Sequence, residues 1–191
     1  MELILKIKLL KFGDDWNLFV NNILQLSKET YKSLHDLYYF IFLNEQLDFN
    51  NKNILIINGG NQLLYSIMKL NNNNIFIVDE LSEEYSKLDI LPISDRNIKS
   101  NNLKDFINKN KKLFDFVLLD MCKNYDYDLF FNSTTIRSIK QLSNKDAKFY
   151  FYTPANKNYN EIINKNFKNI KVYKYKLKDL EEEINVISCN L

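Results

Sequence analysis

The sequence predicts an α/β fold in which a mainly parallel sheet carries helices on both faces and a short β hairpin precedes it. Three observations carry this reading. Short apolar runs rich in Ile, Val and Phe alternate with stretches whose apolar residues recur at helical spacing. A glycine pair, Gly59-Gly60, directly follows the apolar run Ile54 to Ile57. The next apolar run, Ile75 to Val78, ends on an acid, Asp79.

Taken in order, residues 2 to 11 and 17 to 26 cluster apolar residues on either side of Gly13-Asp14-Asp15, the pattern of a hairpin. Ser27 stands where a helix cap belongs. The helix it opens runs through KETYKSLHDLYYFIFLNEQL, with Leu34, Leu37, Tyr38 and Ile41 on one face. Later strands are expected at 114 to 120, 147 to 153, 170 to 177 and 183 to 190, and helices at 103 to 112, 132 to 143 and 156 to 166. The last two strand runs are close in sequence and read as an antiparallel pair at the sheet edge. Asn-rich runs at 71 to 74 and 156 to 166 read as loop or helix-surface filler. No internal repeat divides the chain, so residues 1–26 form the hairpin and 27–191 the α/β domain.

Residues 53 to 80 have the layout of an adenosine-binding β-α-β unit. Glycines let the backbone approach a ligand closely, and an acid at the tip of the second strand can accept both ribose hydroxyls. The plainer reading is a glycine turn and an acid of purely structural use.

Composition narrows the alternatives. At 191 residues and 46% hydrophobic, the chain suits one domain with a sizeable core. The 26 basic and 24 acidic residues nearly balance, which argues against a nucleic-acid partner. One histidine and two distant cysteines, Cys122 and Cys189, do not make a zinc site or a disulfide framework, so no metal is expected and a reducing cytoplasm is the default location. The N-terminus reads as a strand and not a signal peptide, and no apolar run is long enough to span a bilayer, so no membrane partner is expected. The P-loop pattern is absent, and the glycine pair lacks the three-glycine spacing of an NAD fingerprint.

Several segments, in order along the chain, point further: ILQLSKETYKSLHDLYY, NILIINGGNQ, IFIVDE, FDFVLLDMCKN and LFFNSTTIRSIKQL. In this register the chain resembles the spermidine synthase group of aminopropyltransferases, which are methyltransferase-like Rossmann proteins preceded by a small β domain. The resemblance implies a small-molecule substrate and an adenosyl sulfonium co-substrate, S-adenosylmethionine or its decarboxylated form. Gln25 and His35 keep the separation of the family's (I/V)Q(L/T)T stretch and its Tyr-His-Glu triplet, which places Gln25 with the donor and His35 in the amine pocket. Asp79 matches the acid that holds the ribose. Asp120 matches the first acid of the Asp-x-x-Asp-Pro gate, which takes a proton from the attacking amine. A helix-face histidine bonded to a neighbour is the structural alternative for His35.

The departures are as specific. Gly59-Gly60-Asn61-Gln62 replaces the family's glycine-rich GGGDG, so the acid expected at the donor's ammonium becomes the neutral Asn61. The second acid of the gate falls on Lys123, where a cation opposes a diamine by on the order of a few kcal/mol if both charges are buried. Asn102-Leu103 stands where the family grips the adenine amine with an Asp-Gly or Asp-Ala pair, and the Asn102 amide oxygen can still accept that hydrogen bond.

Three activities therefore stay open. One is aminopropyl transfer to an amine. Another is chemistry on S-adenosylmethionine itself, by a lyase releasing methylthioadenosine or by a methyltransferase. The last is a non-catalytic relative. Family relatives commonly form dimers or tetramers, and the short hairpin is a candidate interface for a homo-oligomer. Tyr31, Tyr38, Tyr39, Tyr125 and Tyr127 are candidates for a cation–π pocket, with core packing as the commoner role for such residues.

Overall fold

Two tight turns build the N-terminal sheet. Gly13, at φ 62, and Asp14 connect β1 (Ile7–Phe12) to β2 (Asp15–Val20) and pair Phe12 with Asp15. Positive φ at the first central residue gives a type II′ turn, whose twist matches that of the strands. The run from 17 to 26 is not one strand. Asn21 and Asn22, at φ 51 and 63, form a type I′ turn that pairs Val20 with Ile23 and opens β3 (Ile23–Ser27). Asparagine reaches the left-handed region more readily than other non-glycine residues, so the expected hairpin becomes a three-stranded antiparallel sheet. The computed structural model describes residues 7–58, 73–79, 98–100, 102–120, 130–155, 159–177 and 182–191.

Helix α1 (Lys28–Asn44) begins where the cap residue predicts, with the Ser27 hydroxyl accepting the Thr30 N–H at 2.9 Å. Leu34, Leu37, Tyr38 and Ile41 are all buried on its inner face. Full burial of one such aliphatic side chain contributes about 1.5–3 kcal/mol, so this face fixes how the helix docks.

Among the described residues the main sheet has seven strands, in the order β6-β5-β4-β7-β8-β10-β9. These are β4 (Asn53–Ile57), β5 (Asn74–Val78), β6 (Ile98–Ser100), β7 (Phe114–Leu119), β8 (Ser143–Pro154), β9 (Lys168–Leu177) and β10 (Glu182–Asn190). β4 to β8 are mutually parallel. β10 runs against both its neighbours, so the expected antiparallel pair exists, with β10 inserted and β9 outermost. Strands β4 and β7 are buried almost end to end, which explains why they read as continuous apolar runs.

Helices cover both faces. On one, Phe42 of α1 stands edge-on to Tyr150 of β8, with ring centroids 5.3 Å apart, and Phe49 packs on Phe116 of β7. On the other lie α2 (Leu103–Lys109), α3 (Ser133–Gln141) and α4 (Asn160–Asn166). There Phe167 packs against Phe149 and Phe151, and Phe131 stacks on Tyr159 at 4.1 Å. The alternation along β8, Phe149 and Phe151 to one side and Tyr150 and Tyr152 to the other, is what lets one strand serve two helical layers.

The Asn run at 73–74 does more than fill a loop. Asn73 Oδ1 accepts the Lys52 N–H at 3.0 Å, and the Asn74 amide donates to Asn53 Oδ1 at 3.2 Å, fastening the start of β5 to the start of β4.

Candidate functional site

Pairing of Ile57 with both Val78 and Leu119 puts the carboxyl ends of β5, β4 and β7 at one level. The next residue on each strand is polar and buried: Asp79 at 1% exposure, Asn58 at 3% and Asp120 at 5%. Backbone bonds continue the ladder past the strands, with Asn58 N–H donating to the Val78 carbonyl at 2.8 Å and Asp120 N–H to the Ile57 carbonyl at 2.9 Å. At the spacing of neighbouring strands the two acids stand about 10 Å apart across β4. Asn58 adopts φ 60, turning the chain sharply as it leaves the sheet. Ligands of open α/β sheets bind at such strand ends, where loops diverge over a fixed frame.

Side-chain alternation decides which way the acids point. Ile54, Ile75 and Phe116 share one row across β4, β5 and β7, and Ile56, Ile77 and Leu118 the next. Asp79 and Asp120 continue those rows on the face that α1 covers. Phe42 of α1 sits at the level of Tyr150 and Leu118, so Tyr38, one helical turn back, lies over Asp120. Burial first, and the negative charge of Asp120 second, push the Tyr38 phenol well above its ordinary pKa. Tyr38 is thus both a core residue and the near wall of the acid's surroundings.

The other expected positions fall around this edge. Asn102 and Leu103 follow the end of β6, the strand beside β5, so the four strand ends carry Asn102, Asp79, Asn58 and Asp120 in spatial order. Asn102 also caps α2, its Oδ1 accepting the Asp105 N–H at 3.1 Å, while Leu103 packs partly against the core. His35 lies one turn beyond Tyr38 and is half-exposed, with Nδ1 3.8 Å from Asp36 Oδ1. It faces an open cleft of about 940 Å³ between β2 and α1, in which Trp16 meets Tyr31 edge-on at 5.9 Å. Tyr39 turns outward at 55% exposure.

Gln25 is the extra residue of a bulge in β3, since Leu26 pairs with Leu18 and Leu24 with Phe19. Gly59, Gly60, Asn61 and Lys123 lie outside the described residues, as do Tyr125, Tyr127 and the segment expected to form the helix after the glycine pair. Among the described residues no group of three His, Cys, Asp or Glu is placed to hold a metal, and no helix is long and apolar enough to cross a membrane. Asn58 is the residue sequence reasoning passed over. Its position between the last apolar residue of β4 and Gly59 was the available signal.

No protein-family model matches the chain, and no curated protein matches it. Its likeness is to solved structures. A spermidine synthase in complex with the transition state analogue AdoDATO superposes with TM-score 0.70 at 17% identity, over 98% of this chain and 69% of that one. A probable spermidine synthase from Corynebacterium glutamicum gives 0.72 at 11% identity, covering 98% and 77%. The N-methyltransferase NodS from Bradyrhizobium japonicum, in complex with S-adenosyl-L-homocysteine, gives 0.61 at 10% identity, covering 84% and 87%. Together with the strand order, these likenesses establish the fold, a methyltransferase-like Rossmann sheet preceded by a short antiparallel sheet.

Proposed function

We propose that this chain binds an adenosyl sulfonium compound along the ends of β6, β5, β4 and β7 and releases methylthioadenosine from it, transferring an aminopropyl group to an amine. The observation that carries the reading is the pair of buried acids, Asp79 and Asp120, at equal height on strands flanking β4. Asp79 would accept the ribose hydroxyls, and Asn102 the adenine amine. Asp120, beneath Tyr38, would take a proton from the amine. The amine nitrogen then attacks the carbon next to sulfur, the carbon–sulfur bond breaks, and its electron pair stays on sulfur as the neutral thioether methylthioadenosine. A sulfonium is already a good leaving group, so alignment and removal of one proton supply most of the acceleration. His35 and the Trp16–Tyr31 cleft would admit the amine from the side of the N-terminal sheet.

A second reading rests on sequence. Asn61 in place of an acid, and Lys123 in place of the second gate acid, both suit a donor that keeps its carboxylate, as S-adenosylmethionine does. Attack by the substrate's own carboxylate would then release methylthioadenosine without an amine.

One assay separates these. The chain is incubated with decarboxylated S-adenosylmethionine or S-adenosylmethionine, with and without putrescine, and methylthioadenosine is followed while calorimetry measures nucleoside binding. Release that requires both the decarboxylated donor and the amine supports transfer. Release from S-adenosylmethionine alone supports the lyase, and binding without release leaves a methyltransferase or a non-catalytic relative. Absence of binding by either donor and by methylthioadenosine sinks the adenosyl reading itself.

A further inference from the structure

Between α3 and α4 lies a cleft whose lining is basic and carries no acidic side chain. Gln141 of α3 leads through Leu142 into the start of β8, and Asn166 of α4 leads through Phe167 into the start of β9. The cleft thus runs along α3, with Gln141 and Asn166 toward the amino ends of the parallel strands, whereas Asp79 and Asp120 follow the carboxyl ends of β5 and β7. It is open, about 460 Å³ in volume, and lined by Arg137, Lys140 and Lys165 together with Ser133, Gln141 and Asn166. That volume is within the range of small-ligand clefts, roughly 300–1,000 Å³.

Two other clefts interleave cations and acids. The cleft beside His35 sets Asp15, Glu29 and Asp36 against Lys28 and Lys32, and the one near the start of β7 sets Asp48, Asp115 and Asp146 against Lys52, Lys145 and Lys148. In the cleft between α3 and α4, three cations gather with no acidic side chain among them, although the whole chain has a formal net charge of only +2. Leu191 completes the wall, and among the described residues no carboxylate pairs with Arg137 or Lys165.

The cations are also partly ordered in advance. Lys140 Nζ donates to the Asn166 carbonyl at 2.6 Å and sits 5.4 Å from the centre of the Phe167 ring. Ser133 and Arg137 are four residues apart on α3 and share a face of the helix, so the Arg137 fork and a hydroxyl approach the same space. A guanidinium fork flanked by two ammonium groups matches several oxyanions at once, more charge than a single carboxylate supplies.

We propose that the cleft between α3 and α4 binds a small polyphosphate-bearing anion, with Arg137, Lys140 and Lys165 on its phosphate oxygens. The site is independent of the adenosyl reading.

Tripolyphosphate titrated into the full chain at low ionic strength, followed by calorimetry, tests this, with citrate and a duplex oligonucleotide as comparison ligands. One saturable site is expected, weakening as salt is added. Arg137→Gln and Lys165→Gln should each weaken it by about tenfold, since each removes a charge-assisted contact. Both side chains are exposed, so the variants should fold, as their melting curves would show. Absence of saturable binding, or binding undiminished in the double variant, overturns the proposal. Citrate bound as tightly as tripolyphosphate would replace the phosphate site with a general polyanion patch. Tighter binding of the oligonucleotide, lost in the same variants, would replace it with a nucleic-acid surface.

Discussion

The Glu45 carboxylate accepts the Tyr150 hydroxyl at 2.7 Å, joining the end of α1 to the middle of β8 across 105 residues of sequence. The same carboxylate accepts the Tyr173 hydroxyl from β9 at 2.9 Å and the Ser188 hydroxyl from β10 at 3.0 Å, with Lys148 Nζ 3.6 Å away. Its side chain is only 2% exposed. A carboxylate at a helix C-terminus opposes the helix dipole, so these donors must outweigh both that repulsion and the loss of water. Glu45 is therefore the clamp that holds α1, and with it Tyr38 and His35, against the last three strands.

Replacing Glu45 with Ala should strip the acceptor from three hydroxyls and leave Lys148 without its counter-charge. A loss on the order of 3 kcal/mol in urea unfolding is expected, the scale of breaking a buried charged network from one side. Glu45→Gln, which keeps one acceptor oxygen, should lose less. An Ala variant as stable as wild type would show that the cluster contributes nothing net.

The clamp should be sensitive to acid. Burial pushes the Glu45 carboxyl up, but hydrogen bonds from Tyr150, Ser188 and Tyr173 and the charge of Lys148 together outweigh it and hold the pKa below the ordinary 4.5. A folded-state pKa below the unfolded one gives stability that is complete above about 4.5 and lost as pH falls through the folded value. The stability gap between wild type and Glu45→Gln should therefore narrow as pH drops below that point, while staying constant between pH 6 and 8. A gap that widens in acid would refute this sign.

The Asn21-Asn22 turn is open to improvement. Asn22 sits at φ 63, where glycine has no steric cost, and Asn-Gly is the preferred pair for a type I′ turn. Asn22→Gly should leave the fold unchanged and shift stability by less than about 1 kcal/mol, with relief of strain set against the greater chain entropy of glycine. Its informative contrast is Asn22→Val. A β-branched residue at that φ should cost more than 1 kcal/mol, and thermal melting of the pair checks the ordering.

Separate roles for the two strand-end acids make a separable prediction. Asp79→Ala should weaken methylthioadenosine binding by on the order of 1.5–3 kcal/mol, the contribution of a charge-assisted hydrogen-bond pair. Asp120→Asn should leave that affinity nearly unchanged and lower turnover by on the order of a hundred to ten thousand fold, as loss of a general base does. Calorimetry and the methylthioadenosine assay on both variants check the split. Equal effects of both substitutions on binding would place Asp120 on the nucleoside instead of the amine.

Much of this architecture was decided locally and is legible in the chain. Leu34, Leu37, Tyr38 and Ile41 mark the inner face of α1, and Ser27 its start, because helix period and cap chemistry depend only on near neighbours. β4, β5 and β7 announce themselves as apolar runs because strands covered on both faces have no polar side to show. Asp79 could be picked out because it directly follows such a run, and Asp120 through the resemblance carried by FDFVLLDMCKN. What needed the tertiary structure were relations between distant segments. The partners of Glu45 come from three strands far along the chain, so nothing near position 45 hints at a buried charge. The second turn at Asn21-Asn22 and the bulge at Gln25 depend on which residues pair across the N-terminal sheet. Likewise, β10 lies between β8 and β9 because strand order follows from packing and not from sequence order. Tyr38 reads as core by its spacing, and it is core. That it also lies over Asp120 was set only when α1 docked on the sheet, since the height of a helix above a strand end is fixed by side-chain packing between elements and is encoded in neither alone.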